Sequence, residues 1–184
     1  TLAAPLAEHE VLATFAGDVV REDVVEWQDG AVRAVRRERL GAIVLREAPL
    51  REPDPERVAA AITGAVAREG LDLLPWSDAA RSLRARVAFL RTLDAEWPDW
   101  SDAALHGSLD AWLAPHVATV RTREGLARLD LAGILADALP WRLRAQLDAL
   151  APTHVEVPSG SRIRVDYSDP TAPVLAVRLQ ELFG

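Results

Sequence analysis

The chain has 184 residues, 49% of them apolar, and a formal charge of -7, which is ample apolar surface for a packed core and the wrong sign for a generally basic nucleic-acid-binding surface. Cysteine is absent and all 21 basic residues are arginine, which excludes disulfides, thiolate metal sites and cysteine nucleophiles, the lysine of a phosphate-binding loop and Schiff-base chemistry. No stretch approaches the roughly 20 apolar residues of a membrane span and no charged-then-apolar leader opens the chain, so a soluble, cytosolic protein is expected.

The first fifty residues read as strands. "EVLATFAG", "DVVEWQDG" and "AVRAVRRERLGAIVL" are rich in valine and punctuated by Gly17, Asp29-Gly30 and Gly41. Asp29-Gly30 reads as a hairpin turn, and "AVRAVRRERL" as a strand with one wet face in preference to a short helix. Helices follow. Asp54 and Pro55 form a start signal, Val58, Ile62 and Val66 recur at helical spacing, and Gly70 supplies a stop. Ser77, Ser101 and Asp130 are candidate caps for further helices up to about residue 150. One of them is expected to be a single helix over "DAALHGSLDAWL", with Leu105, Leu109, Trp112 and Leu113 on its buried face.

The tail returns to strands. Ile163, Val165 and Tyr167 alternate with Arg162, Arg164 and Asp166, the two-residue period of a half-buried strand, while "PVLAV" reads as buried on both faces and Leu179, Leu182 and Phe183 as a last helical turn. The expected architecture is α+β. Strands from residues 1–52 and 151–184 join in one sheet or partial β-barrel, and a helical subdomain over 53–150 is inserted between them. With no methionine and an apolar end, the chain reads as a fragment of a longer protein.

Little here announces catalysis. Ser159 or Ser161 with His154 and Asp166 has the residue types of a hydrolytic triad, but lacks the G-x-S-x-G elbow. His9, His106, His116 and His154 show no metal-ligand spacing, so no catalytic or metal residue is assigned. Arginines are better candidates. Arg81, Arg84 and Arg91 share one side of a helix and are expected to snorkel beside the core or pair with Asp78 and Asp94. In the tail, Ser159, Gly160 and Ser161 should leave backbone amides open beside Arg162 and Arg164, a phosphate cradle that Arg33 and Arg36 would extend into one groove. Most of the six tryptophans are expected not to stack on bases: Trp112 sits on a core face, and Trp76, Trp141, Trp97 and Trp100 are expected to pack against helix ends.

"VPSGSRIRVDY" and "PVLAVRLQELFG", with the looser "RERLGAIVL", "LPWSDAARSLRARVAFL" and "WPDWSDAAL", resemble the region after the motor in HrpB-type bacterial DEAH-box ATP-dependent helicases. The resemblance covers nearly the whole chain in the family's order. It implies a parent enzyme coupling NTP hydrolysis to RNA remodelling, with ATP and Mg bound in tandem motor domains upstream and no cofactor in this segment. No catalytic residue carries over, because the P-loop, the DEAH box and the motor arginine motif are absent here. What carries over is an accessory role. The implied partners are the motor domains of the same chain and single-stranded RNA, with no membrane. A scaffold that binds protein without touching nucleic acid is the alternative.

Overall fold

The structure, a computed structural model, describes residues 18–176. It opens on an antiparallel meander of β1 (Val19–Gln28), β2 (Ala31–Leu40) and β3 (Ile43–Pro49). Asp29 (φ 52°) and Gly30 (φ 81°) turn the first hairpin, both in the left-handed region that a two-residue turn matched to strand twist requires. Gly41 (φ 58°) turns the second. The arginine-rich segment is therefore a strand, with Val35 facing Val24 and Val32 facing Trp27. The expected strand at "EVLATFAG" lies outside the described residues.

Helix α1 (Pro55–Glu69) begins where the Asp54 carboxylate accepts from the Glu56 N–H and ends at Gly70 (φ 97°). Its face of Val58, Ile62 and Val66 is fully buried. A 3-10 turn (Leu71–Leu73) leads to α2 (Asp78–Leu93), whose Ser77 hydroxyl caps the Ala80 N–H. The single helix expected from Asp102 instead forms three short pieces, α3 (Asp102–Gly107), α4 (Leu109–Trp112) and α5 (Ala114–Val117). Ser108 leaves helical geometry (φ -127°) and turns its hydroxyl onto the Ala104 carbonyl at 2.7 Å, and Pro115 has no N–H to continue the ladder. The apolar face survives the breaks: Leu105, Leu109, Trp112 and Leu113 are all buried. Then come α6 (Arg123–Ala127), α7 (Leu131–Ala138), capped by Asp130, and α8 (Trp141–Leu150).

A second antiparallel meander follows, β4 (His154–Glu156), β5 (Arg162–Asp166) and β6 (Val174–Leu175), in the order β4-β5-β6. The expected joint sheet or partial barrel is not what forms. Among the described residues the two meanders are separate three-stranded sheets and no barrel closes. Each strand pairs with its neighbour along the chain, where a short connection keeps the entropy of closure small. β6 is also exposed rather than covered on both faces, since Val174 and Leu175 lie at the sheet edge. The expected last helical turn lies outside the described residues.

Both sheets instead dock on the helical core. Val32 N–H donates to the Arg121 carbonyl at 2.8 Å and Arg123 N–H to the Gly30 carbonyl at 2.7 Å, while Trp27 from the first sheet and Tyr167 at the end of β5 belong to the same buried cluster as the helices. Among the described residues no helix is long and apolar enough to cross a membrane.

Ile62 sits at zero exposure whereas Ile43 is 65% exposed. Urea denaturation followed by circular dichroism should therefore show Ile62→Ala losing about 2–5 kcal/mol of stability, and Ile43→Ala staying within about 0.5 kcal/mol of the parent.

Candidate nucleic-acid interface

Arg33 and Arg36 sit on β2 opposite acidic residues of the neighbouring strands, and they are paired with them. Arg36 grips both Asp23 oxygens, at 2.7 and 3.0 Å. Arg33 donates to Glu26 at 3.0 Å and also reaches Glu47, which accepts from Arg37 at 2.8 Å as well. Arg21 to Glu38 (2.8 Å) and Arg39 to Glu22 (3.3 Å) extend the ladder. The hydrogen bond from Arg36, above all, holds the Asp23 carboxyl below the usual carboxylate range, as that from Arg37 does for Glu47. A phosphate approaching these guanidiniums must compete with carboxylates already in place. Arg33 and Arg36 lie on the first sheet and Arg162 and Arg164 on the second, and among the described residues no strand pairing joins the two.

Arg162 and Arg164 project from the exposed positions of β5 and have no ion-pair partner among the described residues. The turn before them is less open than expected. Gly160 (φ 81°) directs its N–H into the turn, onto the Val157 carbonyl at 2.8 Å, and Ser161 N–H reaches the Ser159 hydroxyl at 3.5 Å. Two of the three amides expected to be open are thus engaged within the turn, those of Gly160 and Ser161. No triad assembles: His154 Nδ1 meets the Thr153 hydroxyl at 3.1 Å and Asp166 accepts from the Ser168 N–H at 2.8 Å.

On α2 the arginines neither snorkel idly nor pair with Asp78 and Asp94. Arg81 donates to the carbonyl of Trp76 (3.3 Å), Arg84 to that of Trp100 (2.6 Å) and Arg91 to that of Trp97 (2.6 Å). Arg84 also pairs with Asp102 at 2.7 Å and lies over the Trp76 ring, 5.2 Å from its centroid. "LPWSDAARSLRARVAFL" and "WPDWSDAAL" are thus two halves of one contact.

Sequence reasoning missed Arg86, 6% exposed, which donates to the Ala151 carbonyl and to Asp148. The signal was present, because Arg86 stands in the apolar stripe of Leu83, Val87 and Leu90, where a charge needs hydrogen-bonding partners. Trp141 departs from expectation in the other direction. It is 82% exposed at the start of α8, whereas Trp97, Trp100 and Trp112 are buried as expected and Trp27 is buried as well.

Residues 18–50, which hold the first sheet, match the family model for the connector region of the ATP-dependent RNA helicase HrpB, and residues 112–184 match the model described as ATP-dependent helicase C-terminal. The ATP-dependent RNA helicase HrpB of Escherichia coli (strain K12) is 36% identical over 170 residues, 90% of this chain and 21% of that protein. Two crystal structures of E. coli HrpB superpose with TM-scores of 0.69 and 0.68 at 34% and 35% identity, covering 98% and 90% of this chain and 23% and 22% of theirs. The chain thus spans about a fifth of the length of these relatives. These agreements place the chain among connector and C-terminal regions of the kind described for ATP-dependent helicases. The chain belongs to the HrpB family, whose connector and C-terminal regions it carries.

Because Asp23 and Glu47 ionise more readily folded than unfolded, their pairing stabilises the first sheet above their unfolded pKa of roughly 4 and is lost as pH falls through the lower folded values. Thermal melts should drop between pH 6 and pH 3, and Asp23→Asn should shrink that drop. Tyr167→Phe removes the hydroxyl's 2.9 Å bond to the Pro152 carbonyl but keeps the ring against Phe89; a loss of about 1 kcal/mol is expected in denaturant titration.

Proposed function

We propose that this region is a non-catalytic accessory part of its helicase, contacting single-stranded nucleic acid through β5 while packing against the motor of the same chain. The observation that carries the reading is the contrast between the two sheets. Arg162 and Arg164 stand exposed without ion pairs among the described residues, whereas the arginines of β2 are matched to carboxylates across the strands. Unpaired guanidiniums gain most from phosphates, because binding displaces only water and counterions. RNA is the first ligand to test, since the E. coli relative is named an RNA helicase.

ATP and Mg belong, on this reading, to the motor. The residues here do not fit them: the sequence has no lysine, and among the described residues no three acidic or histidine side chains group to hold a cation. Packing against the motor is supported by Trp141 and by Leu93, 69% exposed at the end of α2.

In a salt series of fluorescence anisotropy with single-stranded RNA, the chain should bind with a log-log salt slope that Arg162→Ala/Arg164→Ala reduces by about 1.4, or about 0.7 per lost phosphate contact. Equal slopes for parent and variant would remove β5 from the RNA path.

A further inference from the structure

We infer that the arginine face of α2 is a second phosphate-contacting surface, continuous with β5, that takes the backbone of a single-stranded nucleic acid with unpaired bases. The inference extends the reading given under Proposed function and rests on it.

Continuity comes first. Three adjoining depressions, of about 630, 580 and 450 Å³, run along α2. Trp76, Arg81 and Arg84 line the first two, while Arg81 and Ala85 are shared with the third, which Arg164 closes from the β5 side. Ala85 and Ala88 leave the second without bulk along the helix. From Arg81 to Arg91 is ten helical residues, about 15 Å at 1.5 Å per residue. That length suits a chain better than one free phosphate.

The state of the arginines comes second. Arg81 and Arg91 are fastened to main-chain carbonyls, those of Trp76 and Trp97, and among the described residues neither closes an ion pair. The charge of Arg91 does reach Asp99, where it adds to the hydrogen bonds from Ser101 in holding that carboxyl below the usual range. A carbonyl fixes a guanidinium without cancelling its charge. Each guanidinium group has five N–H donors, so most remain for a ligand, and anchoring lowers the side-chain entropy lost on binding. Arg84 is held on three sides, by the Trp100 carbonyl, Asp102 and the Trp76 ring.

The acidic rim then selects the ligand class. Asp72, Asp78, Asp99, Asp102 and Asp166 also line the trough, Asp102 being the one paired with Arg84. Carboxylates repel phosphates yet accept from the amino groups of unpaired bases. A strand that offers phosphates and base N–H groups side by side matches this mixture. A uniformly acidic peptide meets the same carboxylates as repulsion along its whole length.

The experiment is anisotropy of a fluorescein-labelled mixed-sequence RNA oligonucleotide across a salt series, comparing the parent chain with three double variants. Arg81→Gln/Arg91→Gln keeps a donor for the carbonyls and removes the charges; Arg81→Lys/Arg91→Lys restores charge; Arg162→Ala/Arg164→Ala probes β5. The Gln variant should bind about tenfold or more weaker at low salt, with the slope reduced by about 1.4, and the Lys variant should recover most of the affinity with an unchanged melting temperature. Loss in the β5 variant alone overturns the α2 surface and leaves the β5 reading standing. Loss in the Gln variant alone upholds phosphate contact on α2 but overturns its continuity with β5 and the β5 reading. No loss in either overturns both. Equal loss in Gln and Lys variants, tracking a lowered melting temperature, overturns the inference in favour of a structural role. Binding of polyglutamate in preference to RNA overturns it in favour of an acidic protein partner.

Discussion

One buried guanidinium sets where the tail of this chain goes. Arg86 stands within the apolar face of α2, where an unpaired charge would be prohibitive, and it is held because the last turn of α8 brings it a carbonyl and a carboxylate. The end of a helix is a favourable place for a cation, since its last carbonyls carry the negative end of the dipole. The next carbonyl, that of Pro152, is taken by the Tyr167 hydroxyl, and Tyr167 in turn leans on Phe89, one turn beyond Arg86, with ring centroids 5.4 Å apart. Burial raises the Tyr167 pKa, so the hydroxyl remains a donor. The small second sheet is largely exposed, and these contacts orient it. Without them Arg164 would have no fixed relation to Arg81.

Local punctuation was legible and long-range partnership was not. Asp54, Ser77, Ser101 and Asp130 each cap the helix that the sequence marks, because a cap needs only its own side chain and the next few amides. The alternation around Ile163 and Val165 is likewise visible in their partial burial. Alternation says which face of a strand is inward, though, and nothing about which strand lies beside it. That is why a joint sheet could be expected where two separate ones form. The broken helix after Asp102 is a subtler case, since its apolar spacing persists while Ser108 and Pro115 divide the backbone beneath it.

The arginines divide along the same line. The ladder around Arg33 and Arg36 could have been read by counting outward from Asp29-Gly30, which places Glu26 opposite Arg33 and Asp23 opposite Arg36. Acidic residues were present at the matching positions. The carbonyl anchors of Arg81, Arg84 and Arg91 could not have been counted out, since they depend on how the loops carrying Trp76, Trp97 and Trp100 fold back on α2. The two motifs look independent in sequence and are physically one joint.

Trp141 gives the chain an optical property that its other indoles do not share. Four tryptophans are shielded by packing and Trp76 is half-buried with its indole N–H bonded to the Leu71 carbonyl at 2.9 Å. The open ring at the start of α8 therefore dominates the long-wavelength edge of the emission spectrum and is the one a collisional quencher reaches first. Whatever surface settles over the first turn of α8 will be recorded as a blue shift and a loss of quenching. The chain carries its own reporter of docking, with no label required.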